Sequence, residues 1–238
     1  MAPQTFTTDL IIPAYNEAEN LPALAAALAP LQTSKTIRRV ILVNNGSTDT
    51  TAQLAREAGF DVVDEPQRGY GNACLAGLAF AANNPPSAIG FFDADLADDP
   101  NQLPTLIKPL ANDTADLVLG QRRALAQKGA LEPHQAFGNW LACTLLRMST
   151  GHRYRDLGPM RVIHWQHLQT LNMVDRTWGW TVEMQYKAAR QGLRIQQIDV
   201  PYRKRHAGKS KISGSLIGSA RAGIKIIAVL TKLWWKRD

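Results

Sequence analysis

Two aspartates one residue apart, Asp93 and Asp95, directly follow the apolar run Ala88-Ile-Gly-Phe-Phe92. Carboxylates so spaced on a turn after a buried strand suit a hard divalent cation such as Mg²⁺ or Mn²⁺, which takes oxygen ligands and shares them with substrate phosphates. Asp-x-Asp alone recurs by chance in surface loops, and its place at a strand end is what makes it a candidate site. Asp98 and Asp99 follow closely and are read as caps of a helix beginning near Pro100. Two more polar clusters also follow apolar runs: Pro13-Ala-Tyr-Asn-Glu17 and Asn44-Asn-Gly-Ser-Thr-Asp49. The second is equally readable as a plain turn into a helix cap. Arg68-Gly-Tyr-Gly-Asn72 is glycine-rich, which suits either backbone approach to a phosphate or an ordinary loop. His134, His152, His164, His167 and His206 share no metal-ligand spacing and are read as structural or surface residues.

Alternating strands and helices must position these clusters. Strands are expected at 9–13, 39–43, 61–63 and 88–92, and helices at 19–31, from Ser47 or Thr48 to 58, and at 71–82. That alternation predicts an α/β fold with a mainly parallel sheet covered by helices on both faces. In such sheets ligands bind beyond the carboxyl ends of the strands, where the three polar clusters fall. The second half is more helical, with strands expected at 116–120 and 194–200 and helices at 137–150 and 181–191.

The 238 residues, 45% hydrophobic and 20% charged, suffice for one large domain or a domain with a tail. Cys74 and Cys143 sit in apolar or helical stretches, which favours a reducing compartment over a disulfide framework. The first residues lack the basic and apolar regions of a signal peptide. Of the net charge of +7, residues 203–238 carry +9, leaving −2 to the rest. Such a segment suits a phosphate-bearing partner (a pyrophosphate, an anionic lipid or a nucleic acid) or is a solvated tail. Between Leu216 and Trp235, Arg221, Lys225 and Lys232 interrupt any membrane-spanning run. With Lys236 they share one helical face, and Leu216, Ala220, Ile224, Ile227, Leu230 and Trp234 lie mainly on another. The expectation is a domain over 1–212 and a basic amphipathic helix over 213–238, packed on the domain or lying at a membrane interface.

Seven motifs, in order, resemble the family 2 glycosyltransferases, especially the dolichol-phosphate mannosyltransferase and polyprenyl-phosphate glucosyltransferase group. They are Ile12-Pro-Ala-Tyr-Asn-Glu17, Val43-Asn-Asn-Gly-Ser-Thr-Asp49, Arg68-Gly-Tyr-Gly71, Asp93-Ala-Asp-Leu96, Asp156-Leu-Gly-Pro159, Gly179-Trp-Thr-Val-Glu-Met184 and Gly208-Lys-Ser-Lys-Ile-Ser213. The resemblance implies a GT-A fold and an inverting, metal-dependent transfer of a hexose from a nucleotide-sugar. It assigns Pro13, Tyr15, Glu17, Asn45, Arg68, Asp93 and Ala94 to the nucleotide, and Asp95 with Asp93 to Mg²⁺ or Mn²⁺. Arg205, Ser210 and Lys211 match a basic loop that closes over the pyrophosphate, and Arg122 matches a position near the acceptor phosphate. Cations there would stabilise the charge that grows on the leaving nucleoside diphosphate.

A lipid-phosphate acceptor is already an anionic nucleophile and requires no strong base. A hydroxyl acceptor requires one, with Glu183 or Asp156 as candidates. The expected acceptor is a polyprenyl phosphate at the inner face of the membrane, with the protein cytoplasmic and peripheral and no nucleic-acid partner; a hydroxyl acceptor is the alternative. Two departures matter. Asn45 stands where an aspartate is usual, and its amide suits uracil or thymine better than guanine, favouring a UDP- or dTDP-sugar over a GDP-sugar. Ala97 stands where some relatives carry a glutamine ligand, so the ion is expected to bind weakly without nucleotide. A nucleotidyltransferase would place a glycine- and lysine-rich loop near the N-terminus, which is absent. A basic binding module would leave the acidic strand ends unexplained.

Overall fold

The computed structural model describes residues 5–208, 228, 229 and 231. Ser210, Lys211, the expected boundary at 212 and most of the expected C-terminal helix lie outside the described residues; 228, 229 and 231 are helical.

β1 (Thr8–Ala14), β2 (Arg39–Asn44), β3 (Asp61–Asp64) and β4 (Ala88–Phe91) are parallel neighbours in a seven-stranded sheet of order β3-β2-β1-β4-β6-β5-β7. Runs such as Leu10-Ile-Ile12 and Val40-Ile-Leu-Val43 are buried on both faces, as parallel strands require. Their side chains alternate between two cores. Leu10, Ile12, Val40 and Leu42 face α1 (Leu21–Thr33), α2 (Thr51–Glu57) and α4 (Leu103–Ala111). Ile11, Ile41 and Val43 face the side holding α3 (Tyr70–Ala81), α5 (Pro133–Thr150), α6 (Trp165–Leu171) and α7 (Trp180–Arg190).

The second half departs from the expectation in one respect. β6 (Arg161–His164) inserts antiparallel between β4 and β5 (Leu117–Gln121), and β7 (Ile195–Asp199) pairs parallel with β5. β6 is only four residues long and runs straight into α6, so no turn residue announces it. Its reversal puts its first residue, Arg161, opposite Phe91 at the carboxyl end of β4.

α2 starts at Thr51 because Ser47 and Thr48 are used elsewhere. Ser47 Oγ accepts from Asn16 N–H, and Thr48 N–H donates to Asn16 Oδ1. These bonds tie the β1 end to the β2 end. α5 starts earlier than expected, at Pro133, behind a capping box formed by Glu132 and Gln135.

Candidate active site

Two cavities open at the carboxyl edge of the sheet. The first, of about 640 Å³, is bounded by Pro13, Tyr15, Glu17, Asn45, Arg68, Asp93, Ala94 and Asp95, with Tyr70, Thr177, Trp178 and Arg205. Every residue expected at the nucleotide therefore shares one hollow. The Arg68 guanidinium lies 3.4 Å from the centre of the Tyr15 ring, a cation–π stack across its wall.

The second cavity, of about 670 Å³, lies beside it and shares Tyr70, Asp93, Trp178 and Arg205. Arg122, Arg123, Arg203 and Lys204 give it a cationic wall, and Glu132, Gln135 and Asn139 line it from α5 and its cap. Arg122 sits here, joined to Asp156 through Nε at 2.8 Å and Nη2 at 2.8 Å. Asp156 also accepts from the N–H groups of Arg122 and Leu157, and its pairing with Arg122 holds its carboxyl below the usual range against the effect of burial. A carboxylate so committed is a poor base.

Asp95 faces the first cavity. Its Oδ2 is 2.8 Å from Arg205 Nη2, and its Oδ1 accepts from Ala97 N–H. His206 N–H donates to the Asp95 carbonyl, and Arg203 N–H to the Ala97 carbonyl. The 203–206 segment is thus laid along the acidic turn. Burial, and then the neighbouring Asp95 charge, push the Asp93 carboxyl up to about 7, opposed by Arg205, Arg161 and Arg122. Crowded carboxylates with hard oxygen donors fit a divalent cation. Ala97 offers no ligand, and among the described residues no group of three or more His, Cys, Asp or Glu is arranged to hold an ion. An ion here would take its remaining ligands from a diphosphate and water.

The profile of Glycosyl transferase family 2 matches residues 9–168. The chain belongs to glycosyl transferase family 2. It is 40% identical over 229 residues to an uncharacterised glycosyltransferase of Mycobacterium tuberculosis H37Rv, spanning 95% of each chain. It is 28% identical to an undecaprenyl-phosphate mannosyltransferase of Micrococcus luteus, over 88% of this chain and 89% of the other. It is 27% identical to a dolichyl-phosphate hexose transferase of Haloferax volcanii, over 92% of each chain. The architecture is the GT-A fold: glucosyl-3-phosphoglycerate synthase of M. tuberculosis, crystallised with Mn²⁺, UDP-glucose and phosphoglyceric acid, superposes with a TM-score of 0.76. The identity there is 21%, over 98% of this chain and 81% of the other.

Two assignments made for this family 2 chain from sequence change. Glu183 is buried, and both its oxygens accept from Val174 N–H while Oε2 also accepts from Asp175 N–H at 2.7 Å. Lys187 Nζ is 2.7 Å from Oε1. Glu183 therefore holds the 174–179 loop that presents Thr177 and Trp178, and it lines neither cavity. Asn45 is also spent on a loop. Its amide donates to the carbonyls of Glu65 and Gln67, and its oxygen accepts from Gly69 N–H at 2.8 Å. Only a second lone pair on that oxygen remains for a base, so the amide does not by itself read uracil. In Arg68-Gly-Tyr-Gly71, read as either a phosphate-approaching or an ordinary loop, Gly69 lines the first cavity and Gly71 is packed. A Cβ on Gly71 would fall 2.0 Å from the Asp175 carbonyl oxygen, and Gly71 N–H donates to Thr177.

Sequence reasoning passed over Tyr70, Thr177, Trp178, Tyr202, Arg203 and Lys204. Tyr70 lies inside Arg68-Gly-Tyr-Gly71, and Arg203 and Lys204 begin the basic segment, so all three carry a signal. Asp98 was paired with Asp99 as a cap. Asp99 does accept from Asn101 N–H, at 3.1 Å, and pairs with Arg203. Asp98 instead is 1% exposed, and neither of its oxygens has a partner among the described residues. Burial pushes its carboxyl up to about 8.

Proposed function

We propose that this enzyme transfers a hexosyl group, with inversion, from a UDP-sugar to the phosphate of a polyprenyl phosphate at a membrane surface. The observation that carries the reading is the pairing of a cationic second cavity with two sequence-candidate bases that are both committed elsewhere. Asp156 is tied to Arg122, and Glu183 is tied to the 174–179 loop. An acceptor that arrives as an anion attacks without surrendering a proton, and Arg123 and Lys204 suit its charge, beside Arg122 and Arg203, which are paired with Asp156 and Asp99. The mannosyltransferase and hexose transferase named above, which act on lipid phosphates by their names, support this acceptor.

In the donor cavity, Asp93 and Asp95 would hold Mg²⁺ or Mn²⁺ together with the donor's diphosphate. The ion, when bound, supplies charge neutralisation for the leaving nucleoside diphosphate. Arg205 lines both cavities, which supports a role in meeting the charge that grows on the bridging oxygen. Lys211 would add a second cation. The UDP and Mn²⁺ or Mg²⁺ in structures sharing the fold support the donor and the metal.

The test is a panel of UDP-, dTDP- and GDP-sugars with a short-chain isoprenyl phosphate in solution, with and without Mn²⁺, read by product mass spectrometry. Glycosyl phosphate formed from a UDP-sugar is expected. Transfer only to hydroxyl acceptors, or preferred use of GDP-sugars, overturns the reading.

A further inference from the structure

α5 shows an unusual outer face. Ala142, Cys143 and Leu146 point into the core, as an amphipathic helix requires. The opposite side should be polar, yet it carries Phe137, Trp140 and Met148, exposed by 63%, 53% and 79%. With the half-buried Leu141 they occupy spacings of three, four and eleven residues from Phe137, one continuous stripe. The rings of Phe137 and Trp140 lie 5.8 Å apart. Leu125, 53% exposed, stands on the connection leading into the same helix. Exposed apolar surface of this extent marks a binding face.

Its surroundings identify the partner. Residues 122–155 hold six Lys or Arg against one acidic residue, Glu132. Arg122 is committed to Asp156, and Arg155 pairs with Asp199. Arg123, Lys128, Arg147 and Arg153 are exposed. Large apolar groups on a segment rich in exposed cations complement an anionic lipid surface, where the side chains enter the acyl boundary and the cations meet headgroups. The inward side of the helix continues into the second cavity through Gln135, Ala136 and Asn139. We infer that the outer face of α5 docks on an anionic bilayer and sets the mouth of the second cavity at the headgroup level. This rests on the lipid-phosphate reading above and adds a docking element separate from the C-terminal segment.

The full chain is mixed with vesicles of phosphatidylcholine, with and without phosphatidylglycerol, and sedimented. The triple variant Phe137→Ser, Trp140→Ser, Met148→Ser is expected to lose at least about tenfold in binding to phosphatidylglycerol vesicles. Its transfer to a soluble short-chain isoprenyl phosphate should be unchanged. Because Cys74 and Cys143 are buried, Met148→Cys alone accepts a polarity-sensitive dye. Its emission should shift to the blue with phosphatidylglycerol vesicles, which keeps the idea testable should the triple variant misfold. Equal vesicle binding by a folded triple variant overturns the inference. So does an unshifted dye on vesicle-bound protein, or a blue shift without lipid that tracks a dimer in light scattering. Vesicle docking without transfer to the soluble acceptor would instead refute only the acceptor reading.

Discussion

The two cavities are built in opposite ways. The first cavity takes its polar clusters from residues that follow strands β1, β2 and β4, each short and continuous in sequence, and is completed by Arg68 to Tyr70, Thr177, Trp178 and Arg205. The second cavity gathers the β5–α5 connection, α5, the 156–159 turn and the 202–208 segment. In the first, strand register brings the three clusters together: Ala14 pairs with Asn44, and Ile11 with Phe91. In the second, ion pairs such as Arg122–Asp156 do the aligning. A site set by strand ends keeps its geometry when one side chain changes, whereas a site set by buried charges does not.

Mutations can break that contrast. The largest effect is expected at Arg122. Arg122→Ala leaves Asp156 buried without its cation and should lower stability by about 3–5 kcal/mol in urea unfolding. An unaltered midpoint would show that the acceptor side does not depend on this pair. Arg205→Ala should cost about 10²–10³-fold in kcat with the fold intact. A loss confined to the KM of one substrate would assign Arg205 to one cavity only.

Asn45→Asp removes both donors to the Glu65 and Gln67 carbonyls and should cost about 1–3 kcal/mol of thermal stability. Unchanged stability with altered preference between UDP and GDP would return Asn45 to base reading. Asp98 gives a pH test. Its folded-state pKa of about 8 lies above the unfolded value of 3.8, so the folded protein binds the extra proton. Its contribution is present below about pH 4 and is lost as pH rises toward 8. Asp98→Asn should therefore raise the melting temperature by a few degrees, about 1–2 kcal/mol at pH 8, with the gain vanishing near pH 4. A gain independent of pH would sink this account. The smallest effect is expected from Glu183→Gln, about a two- to fivefold rise in donor KM with an unchanged pH profile of kcat. Loss of the acid limb of that profile would restore Glu183 as a base.

The same contrast explains what the sequence revealed. Strands β1 to β4 and the three clusters behind them were readable because apolar runs ending in Pro13, Asn44 and Asp93 are local signals. β6 was not, since four residues without a turn mark carry little pattern. Glu183 and Asn45 misled for one reason: the residue type stated a chemical capacity that the fold spends on backbone N–H and C=O groups. Asp98 hid beside Asp99 because capping is a local property and isolation from partners is not. The exposed stripe on α5 lies in a segment that the sequence reads simply as a helix, and only the packing shows which side is turned outward.

The reversal of β6 has a further consequence. A strand that begins at the ligand edge can carry a charge inside the sheet itself. Arg161 is fully buried, held by the carbonyls of Gly158 and Pro159 and by Thr181 Oγ1, with no carboxylate bonded to it among the described residues. Mobile ions cannot reach such a group, while they readily surround Arg123 or Lys204. Raising ionic strength should then weaken the exposed cations of the second cavity well before it weakens the pull of Arg161 on Asp93. Asp93 lines both cavities, so part of the charge at the sheet edge stays offset by a cation that salt does not screen.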